Sequence, residues 1–401
     1  MREAFASLTQ RGRILLTCGI AVCGAALYLG DQTLLRVGLL LTLLPLFSTL
    51  VMARAKYRIA LERRTTPRVV AAGQPARVDL RIINEGLVPP GSIVVEEELG
   101  YALGSRPRFR LQRLARGVAQ NQSYRVSTDV RGRHQLGPAL LRVSDPLGLV
   151  AVTRGFRSTD SVVVLPLVVP LDGLPLTSPS RGTSGASRSS THGDADDTTV
   201  RAYRRGDDVR RIHWRSSARA GDLVVRQEEE PHRPAVTLLL DVRAAAHRGT
   251  GVASSFEAAV RIASSVLSHL LTHGQDVVLL AGDRRSELRA SDPGALGRAL
   301  EELAILAPDT SGRSLPLPAL SSPGTPRSVV AVLGSLDDAD RAGLAGANTR
   351  GSRASALLVD VEAWNPNRAN ADVVPTGPLG WRATAVGPRS SLTQAWRSVV
   401  A

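Results

Sequence analysis

Two stretches near the start of the chain carry no charged residue and restrict the fold more than any other feature. They are "ILLTCGIAVCGAALYLG" (Ile14–Gly30) and "VGLLLTLLPLFSTLVMA" (Val37–Ala53). Each is about 17 residues long, the lower limit for a helix that crosses a bilayer core, and Leu34, Leu35 and a snorkelling Arg36 lengthen the second. Neither has the polar stripe of a helix packed in a soluble core. Pro45 is tolerated inside a membrane helix. The second run follows the first at once, with no small-residue cleavage site between them, so the pair reads as a two-helix hairpin and not as a removed leader. Basic residues gather outside the runs (Arg2, Arg11 and Arg13 before; Arg54, Lys56, Arg58, Arg63 and Arg64 after), while the connection holds only Asp31 and Arg36. The positive-inside rule then predicts a two-pass protein of the cell membrane with both ends cytoplasmic and about 345 residues projecting from the inner face.

The remaining composition narrows the function. Lysine and arginine total 50 against 36 acidic residues, a net charge of +14. Lys56 is the only lysine, so the positive charge is arginine. These arginines are scattered and aromatic residues make up 3%, too few for the stacking platforms of a single-strand binder. No specific nucleic-acid partner is expected. The two cysteines, Cys18 and Cys23, both lie in the first apolar run and supply neither a disulfide framework nor a metal cluster.

Past residue 13 (a short cytoplasmic tail) and the hairpin at 14–53, the hydropathy pattern divides the chain further. Residues 65–171 alternate apolar and polar positions, as in "RVDLRIINEG" (Arg77–Gly86), "SIVVEEEL" (Ser92–Leu99), "RFRLQRL" (Arg108–Leu114), "SYRVSTDV" (Ser123–Val130) and "ALLRVSD" (Ala139–Asp145). Turn residues recur about every ten positions, which predicts an antiparallel, β-sandwich-like domain. "DPLGL" (Asp145–Leu149) reads as a turn after a strand. Residues 172–200 are rich in Ser, Gly and Thr and read as a linker. From 235 to 401 strands alternate with helices: strands at Ala235–Val242, Gln275–Gly282, Arg327–Ser335 and Ser355–Val361, helices at Ser255–Gly274, Pro293–Leu306, Leu336–Gly346 and Leu392–Val400. That order predicts a doubly wound α/β domain with a mainly parallel sheet, and it puts Asp241 at the carboxyl end of the first strand, where such folds bind ligands.

Between linker and α/β domain, at 201–234, lies the densest cluster of charge, "YRRGDDVRRIHWRSSAR" (Tyr203–Arg219). Ile212 and Trp214 alternate with charged neighbours, as on a half-buried extended segment, and "DLVVRQEEE" (Asp222–Glu230) resembles an edge strand. Arginine forks pair with carboxylates, so Asp207 and Asp208 are candidate partners of Arg210, Arg215 or Arg219 in a buried network around Trp214. A triad of Ser216, His213 and Asp207 has only sequence adjacency behind it, and His192, Asp194 and His213 lack metal-site spacing.

The order of these features, with "RGRHQLGP", "DPLGL", "YRRGDDVRRIHWRSSARAGDLVVRQEEE" and "LLLDV", closely resembles the bacterial domain-of-unknown-function family 58. Those proteins are membrane-anchored and carry a von Willebrand factor A-like domain. The resemblance makes Tyr203, Gly206, Asp207, Asp208, Arg210, Ile212, Trp214, Ala218, Arg219 and Arg226 signature positions, expected to seat this segment on the α/β domain and to serve docking. It implies a MoxR-type AAA+ ATPase as partner and complex assembly or maturation at the cell envelope. The chain offers no phosphate-cradling glycine loop and no convincing acid–base pair, so no enzymatic activity is expected. The resemblance also implies a Mg²⁺ loop of the form Asp-x-Ser-x-Ser after the first strand. Here that loop reads Asp241-Val242-Arg243-Ala244-Ala245, so both hydroxyl positions are lost, a degenerate site with no metal and no other cofactor is expected, and Arg243 offers a fixed positive charge instead. The alternatives are a hydrolase-like enzyme at the Asp241 crevice, with Asp207 as second carboxylate, and a binder of anionic lipid or nucleic acid.

Overall fold

The computed structural model describes residues 7–54, 58–86, 91–112, 114–173, 200–202, 212, 214–226, 235–320, 328–347, 353–364 and 376–400. They form two compact units, one of residues 1–168 with 297–307 and one of 169–296 with 308–401.

The first unit begins with the two apolar helices, α1 (Gln10–Leu29) and α2 (Gln32–Arg54), of 20 and 23 residues. Both are long and apolar enough to cross a membrane. They run antiparallel and approach closely, because small residues face each other. A Cβ at Gly38 would lie 2.6 Å from the Cys23 sulfur, and one at Gly19 would lie 2.5 Å from the Thr42 hydroxyl. The opposite surfaces expose Ile14, Ile20, Leu27, Leu40, Leu43 and Phe47. The first helix is capped by Thr9, whose hydroxyl accepts from the Gly12 amide at 3.2 Å.

Nine strands follow: β1 (Ile59–Thr66), β2 (Val69–Ala71), β3 (Ala76–Asn84), β4 (Ser92–Leu99), β5 (Arg108–Gln112), β6 (Ala119–Val126), β7 (Gly132–Ser144), β8 (Ala151–Phe156) and β9 (Asp160–Leu165). The period-two expectation holds well in β3, where Ala76, Val78, Leu80 and Ile82 are fully buried while Arg77 and Arg81 face out. One sheet has the order β1-β3-β6; the other runs β2-β9-β7-β4-β5, with β8 also on β7. The two sheets share one apolar core, to which β3, β4 and β7 contribute Leu80, Val95 and Leu141. Two details differ from the sequence reading. Sheet structure starts at Ile59 and not near 65, and β2 pairs with β9 in parallel.

A charge sits inside this core. The Arg63 fork donates to Glu97 from Nε (3.1 Å) and Nη2 (2.9 Å), and from Nη1 to the Ser158 carbonyl (2.7 Å). Both side chains are almost wholly buried, at 2% and 0% exposed. The Tyr124 hydroxyl donates to Glu97 Oε2 at 3.2 Å, and burial together with the Glu97 charge pushes its ionisation well up. Gly137, of the "RGRHQLGP" stretch, has φ +82°, and a Cβ there would stand 2.6 Å from Arg63 Nη2. Only glycine combines that backbone with that space. Arg131, at the other end of the same stretch, reaches residues 303–306. It donates from Nη1 to the carbonyls of Leu303 (2.6 Å), Ala304 (3.0 Å) and Leu306 (3.0 Å), groups that a helix C-terminus leaves without intrahelical donors.

In the second unit, β10 (Val200–Ala202) pairs antiparallel with β11 (Val224–Arg226), and the short helix α3 (Trp214–Ala220) lies between them in sequence. The α/β part is built from β12 (Ala235–Leu240), α4 (Ser255–Thr272), β13 (Asp276–Ala281), β14 (Arg284–Leu288), α5 (Ala295–Ala304, most of it in the first unit), α6 (Leu317–Leu320), β15 (Ser328–Leu333), α7 (Asp338–Ala347), β16 (Arg353–Val359), β17 (Arg382–Val386) and α8 (Leu392–Val400). The sheet order is β14-β13-β12-β15-β16-β17, parallel throughout except for β14. β14 and β17 were not foreseen. Both are short edge strands with exposed polar residues, which weakens the apolar signal. β12 is apolar along nearly its whole length because it is covered on both faces: Val236, Leu238, Leu239 and Leu240 are fully buried.

Replacing Glu97 by Ala strands the Arg63 guanidinium in the core. Loss of one partner of a buried pair costs about 3–5 kcal/mol, so Glu97→Ala is expected to lower the thermal midpoint of the detergent-solubilised chain by roughly 10 °C. The double variant Arg63→Met/Glu97→Leu is expected to recover most of that loss in the same melt.

Candidate functional site

The centre of the α/β sheet is its topological switch point. From β12 the chain crosses to β13 on one side, while β15 pairs on the other, so the loops after β12 and β15 part and leave a crevice at their carboxyl ends. Asp241 follows β12 directly and is buried at 1% exposed. Arg243 stands two residues on. Its guanidinium donates to both Asp241 oxygens, from Nε to Oδ1 (3.0 Å) and from Nη2 to Oδ2 (2.9 Å). Its third nitrogen, Nη1, donates to both oxygens of Asp340 (3.0 and 2.9 Å), in the first turn of α7. The Arg243 amide also donates to Asp241 Oδ1 at 3.1 Å. One planar fork thus satisfies two carboxylates that come from opposite sides of the switch point.

The electrostatics follow from this geometry. Burial opposes the charge on Arg243, but the hydrogen bonds and charges of Asp241 and then Asp340 outweigh it and hold the guanidinium protonated far above its ordinary range. Asp340 is fixed in turn, since its amide donates to Asp337 Oδ1 at 2.7 Å and the Asp337 amide to its Oδ2 at 3.3 Å. His247 closes the inner wall. Its Nε2 lies 3.0 Å from the Asp241 carbonyl and its Nδ1 3.3 Å from the Ser255 hydroxyl, with Phe256 edge-on at 5.2 Å. Burial lowers its pKa, the Asp241 carbonyl and charge oppose that, and nearby Arg243 adds to the lowering. A neutral ring that donates from Nε2 and accepts at Nδ1 fits these partners.

Beside the cluster lies an open cleft of about 340 Å³ lined by Asp241, Arg243, Gly282, Asp283, Asp309 and Arg313, among others. Asp283 and Arg313 pair across its exposed mouth. The strip 308–311 forms its side: the Asp309 amide donates to the Val242 carbonyl at 2.6 Å, and the Ala244 amide to the Asp309 carbonyl at 2.8 Å.

The Mg²⁺ implied by the resemblance does not fit these residues. The guanidinium fills the space between the two carboxylates, and Ala245, at the second hydroxyl position, is exposed on a short 3₁₀ turn, Ala244–Ala246. No group of three His, Cys, Asp or Glu side chains among the described residues could hold a metal ion. Asp340 was not identified from sequence. Gly334 and Ser335, directly after β15, carry no carboxylate, and the Ser335 amide donates to the Ala246 carbonyl at 2.8 Å. The signal was present in "LDDAD", whose acidic residues cap the first turn of α7.

The signature segment is placed only in part. Tyr203, Gly206, Asp207, Asp208 and Arg210 lie outside the described residues, so their expected network with the arginines does too. Ile212 is buried. Trp214 corrects the expectation. It opens a helix and is 67% exposed, so it is neither part of an extended segment nor the centre of a buried ion-pair network. Ala218 and Arg219 are also exposed on α3, and Arg226 ends β11. What ties this helix down is Ser217, which sequence reasoning passed over. Its buried hydroxyl accepts from the Val224 amide at 2.9 Å and so joins α3 to β11.

Arg243→Ala would leave two buried carboxylates with no counter-charge and is expected to cost about 3–5 kcal/mol. The measurement is a thermal melt of the detergent-solubilised chain, in which Arg243→Ala/Asp241→Asn should melt above Arg243→Ala, because it removes one of the stranded charges.

The uncharacterized protein YeaD of Bacillus subtilis (strain 168) is 26% identical over 157 residues, 39% of this chain. The chain covers 37% of the length of that relative. Solved structures similar to part of the chain include the CARDB domain of PF1109 from Pyrococcus furiosus (15% identity, 27% of this chain, 93% of that chain, TM-score 0.20) and a cohesin module from Clostridium perfringens (14% identity, 27% and 98%, TM-score 0.21). Likenesses of that strength carry no argument about this chain. The family match is local: residues 199–362, which hold the signature segment, the switch-point crevice and Arg243, match the model of DUF58, a family described as proteins of unknown function.

Proposed function

We propose that this protein is a membrane-tethered, non-enzymatic adaptor whose α/β unit is von Willebrand A-like, works without a metal ion, and docks a MoxR-type AAA+ ATPase during complex assembly or maturation at the cell envelope. The observation that carries the reading is the Arg243 fork between Asp241 and Asp340. In the crevice where an open α/β sheet receives a ligand, the space between the two carboxylates is filled here by the chain's own cation. The sheet order, with five parallel strands and one antiparallel edge, supports the von Willebrand A-like assignment. The same fork argues against the hydrolase-like alternative, because both Asp241 oxygens accept from Arg243 and neither is available as a general base. The two apolar helices support anchoring as a two-pass protein of the cell membrane, and the basic residues flanking them favour a cytoplasmic position for both ends and the bulk of the chain.

Trp214 supplies a docking residue. A tryptophan 67% exposed on a short helix fits the aromatic anchors that dominate interfaces, whose removal costs about 2 kcal/mol or more, an affinity loss of about 30-fold. Binding of the detergent-solubilised chain to a MoxR-type ATPase from the same cell, with a slowly hydrolysed nucleotide bound beforehand, is the test. Binding is expected to survive chelation of free Mg²⁺ and to weaken about 30-fold in Trp214→Ala at an unchanged melting temperature. Absence of binding under every condition removes the ATPase, and binding abolished by chelation removes the metal-free adaptor.

A further inference from the structure

The loop "DPLGL" does more than turn the chain. Asp145 builds it: its amide donates to the Val150 carbonyl (3.1 Å), its Oδ1 accepts from the Val150 amide (2.8 Å), and its carbonyl accepts from the Gly148 amide (3.0 Å). The base of α1 is bonded to the loop so formed. The Thr9 amide donates to the Leu149 carbonyl at 2.9 Å, the Thr9 hydroxyl donates to the Gly148 carbonyl at 2.7 Å, and the Ala151 amide donates to the Ser7 carbonyl at 2.8 Å. Leu8 and Val150 form an antiparallel bridge, and both are buried. Gly12 completes the joint, since any Cβ there would strike the Leu149 carbonyl. The loop and the first turn of the helix are therefore one rigid piece.

That piece has a fixed height. Gly148 is level with Thr9, five residues before Ile14, where the charge-free stretch begins. At 1.5 Å per residue this is about 7 Å along the helix. The headgroup layer on each side of a hydrocarbon core is about 5–8 Å deep. Moreover, Ile14 to Leu29 spans only about 24 Å, short of the roughly 30 Å core, which draws the lipid boundary toward Thr9. At this height the loop presents Leu147, 56% exposed, with Arg11, Arg13 and Arg54 exposed on the same end of the hairpin. An apolar side chain beside a basic collar is the chemistry of an interfacial contact with anionic lipid.

From these observations we infer that the Asp145–Leu149 loop is a membrane-contact site, with Leu147 set into the headgroup layer of the bilayer crossed by α1 and α2. The strands that carry the loop are thereby held at the lipid surface. This inference rests on the reading of the two helices as membrane spans.

The test uses the full chain, with Cys18 and Cys23 replaced by Ser and Ala, in vesicles of phosphatidylcholine and phosphatidylglycerol. Nitroxide labels are placed singly at Leu147→Cys, at Ile20→Cys on the outer face of α1, and at Tyr101→Cys, a fully exposed residue of the strand domain. Collision with a water-soluble nickel complex and with oxygen gives the depth of each. The expected result is a deep label at Ile20, and at Leu147 a nickel accessibility several-fold below that at Tyr101. If Ile20 is deep while Leu147 matches Tyr101, the contact site is wrong and the spans stand. If Ile20 itself is open to nickel, the spans fail and the contact site fails with them.

Discussion

The α/β unit is organised around one planar cation. Arg243 leaves the loop after β12, bonds back to Asp241 in the same loop, and reaches across to Asp340 at the start of α7. Its donors match two carboxylates in geometry and in number, which a lysine could not do. This pairing joins the loop after β12 to the first turn of α7, and the buried His247 ring meets the same loop at the Asp241 carbonyl. Closure by a covalently attached cation differs in kind from closure by a bound ion. It has no dissociation constant, does not respond to ion concentration, and persists for as long as the protein is folded.

The same device recurs in the strand domain. Arg63 is enclosed with Glu97, and Arg131 gathers the carbonyls at the end of a helix. Desolvating such groups is costly, and each is offset by near-complete pairing of the fork. An abundance of arginine that looks, in composition, like scattered surface charge therefore includes three positions where a guanidinium is an internal fastener.

The sequence made some of this legible and hid the rest, for physical reasons. Period-two burial is strong in β3, and nearly continuous apolar runs mark β12 and β15, so these strands could be read from hydropathy alone. Edge strands β14 and β17 could not, because half of each faces solvent. Asp241 and Arg243 stood out because a ligand loop with a cation in it is conspicuous. Asp340 did not, since it lies 97 residues away from Arg243 and nothing local signals a partner at that distance. Trp214 was misjudged because alternation of apolar and charged residues fits a strand, whereas Trp214–Ala220 is one short helix fastened by Ser217. "DPLGL" was correctly read as a turn, but the bonds that seat Thr9 on it join residues about 140 apart and leave no local trace.

The central claim is that the space between Asp241 and Asp340 holds the chain's own cation and leaves no room for another. Titration of the intact, detergent-solubilised chain with Mn²⁺, followed by the electron paramagnetic resonance signal of the free ion, tests it most directly. The account predicts no stoichiometric loss of that signal. One ion bound per chain, with binding abolished by Asp241→Asn, would contradict it.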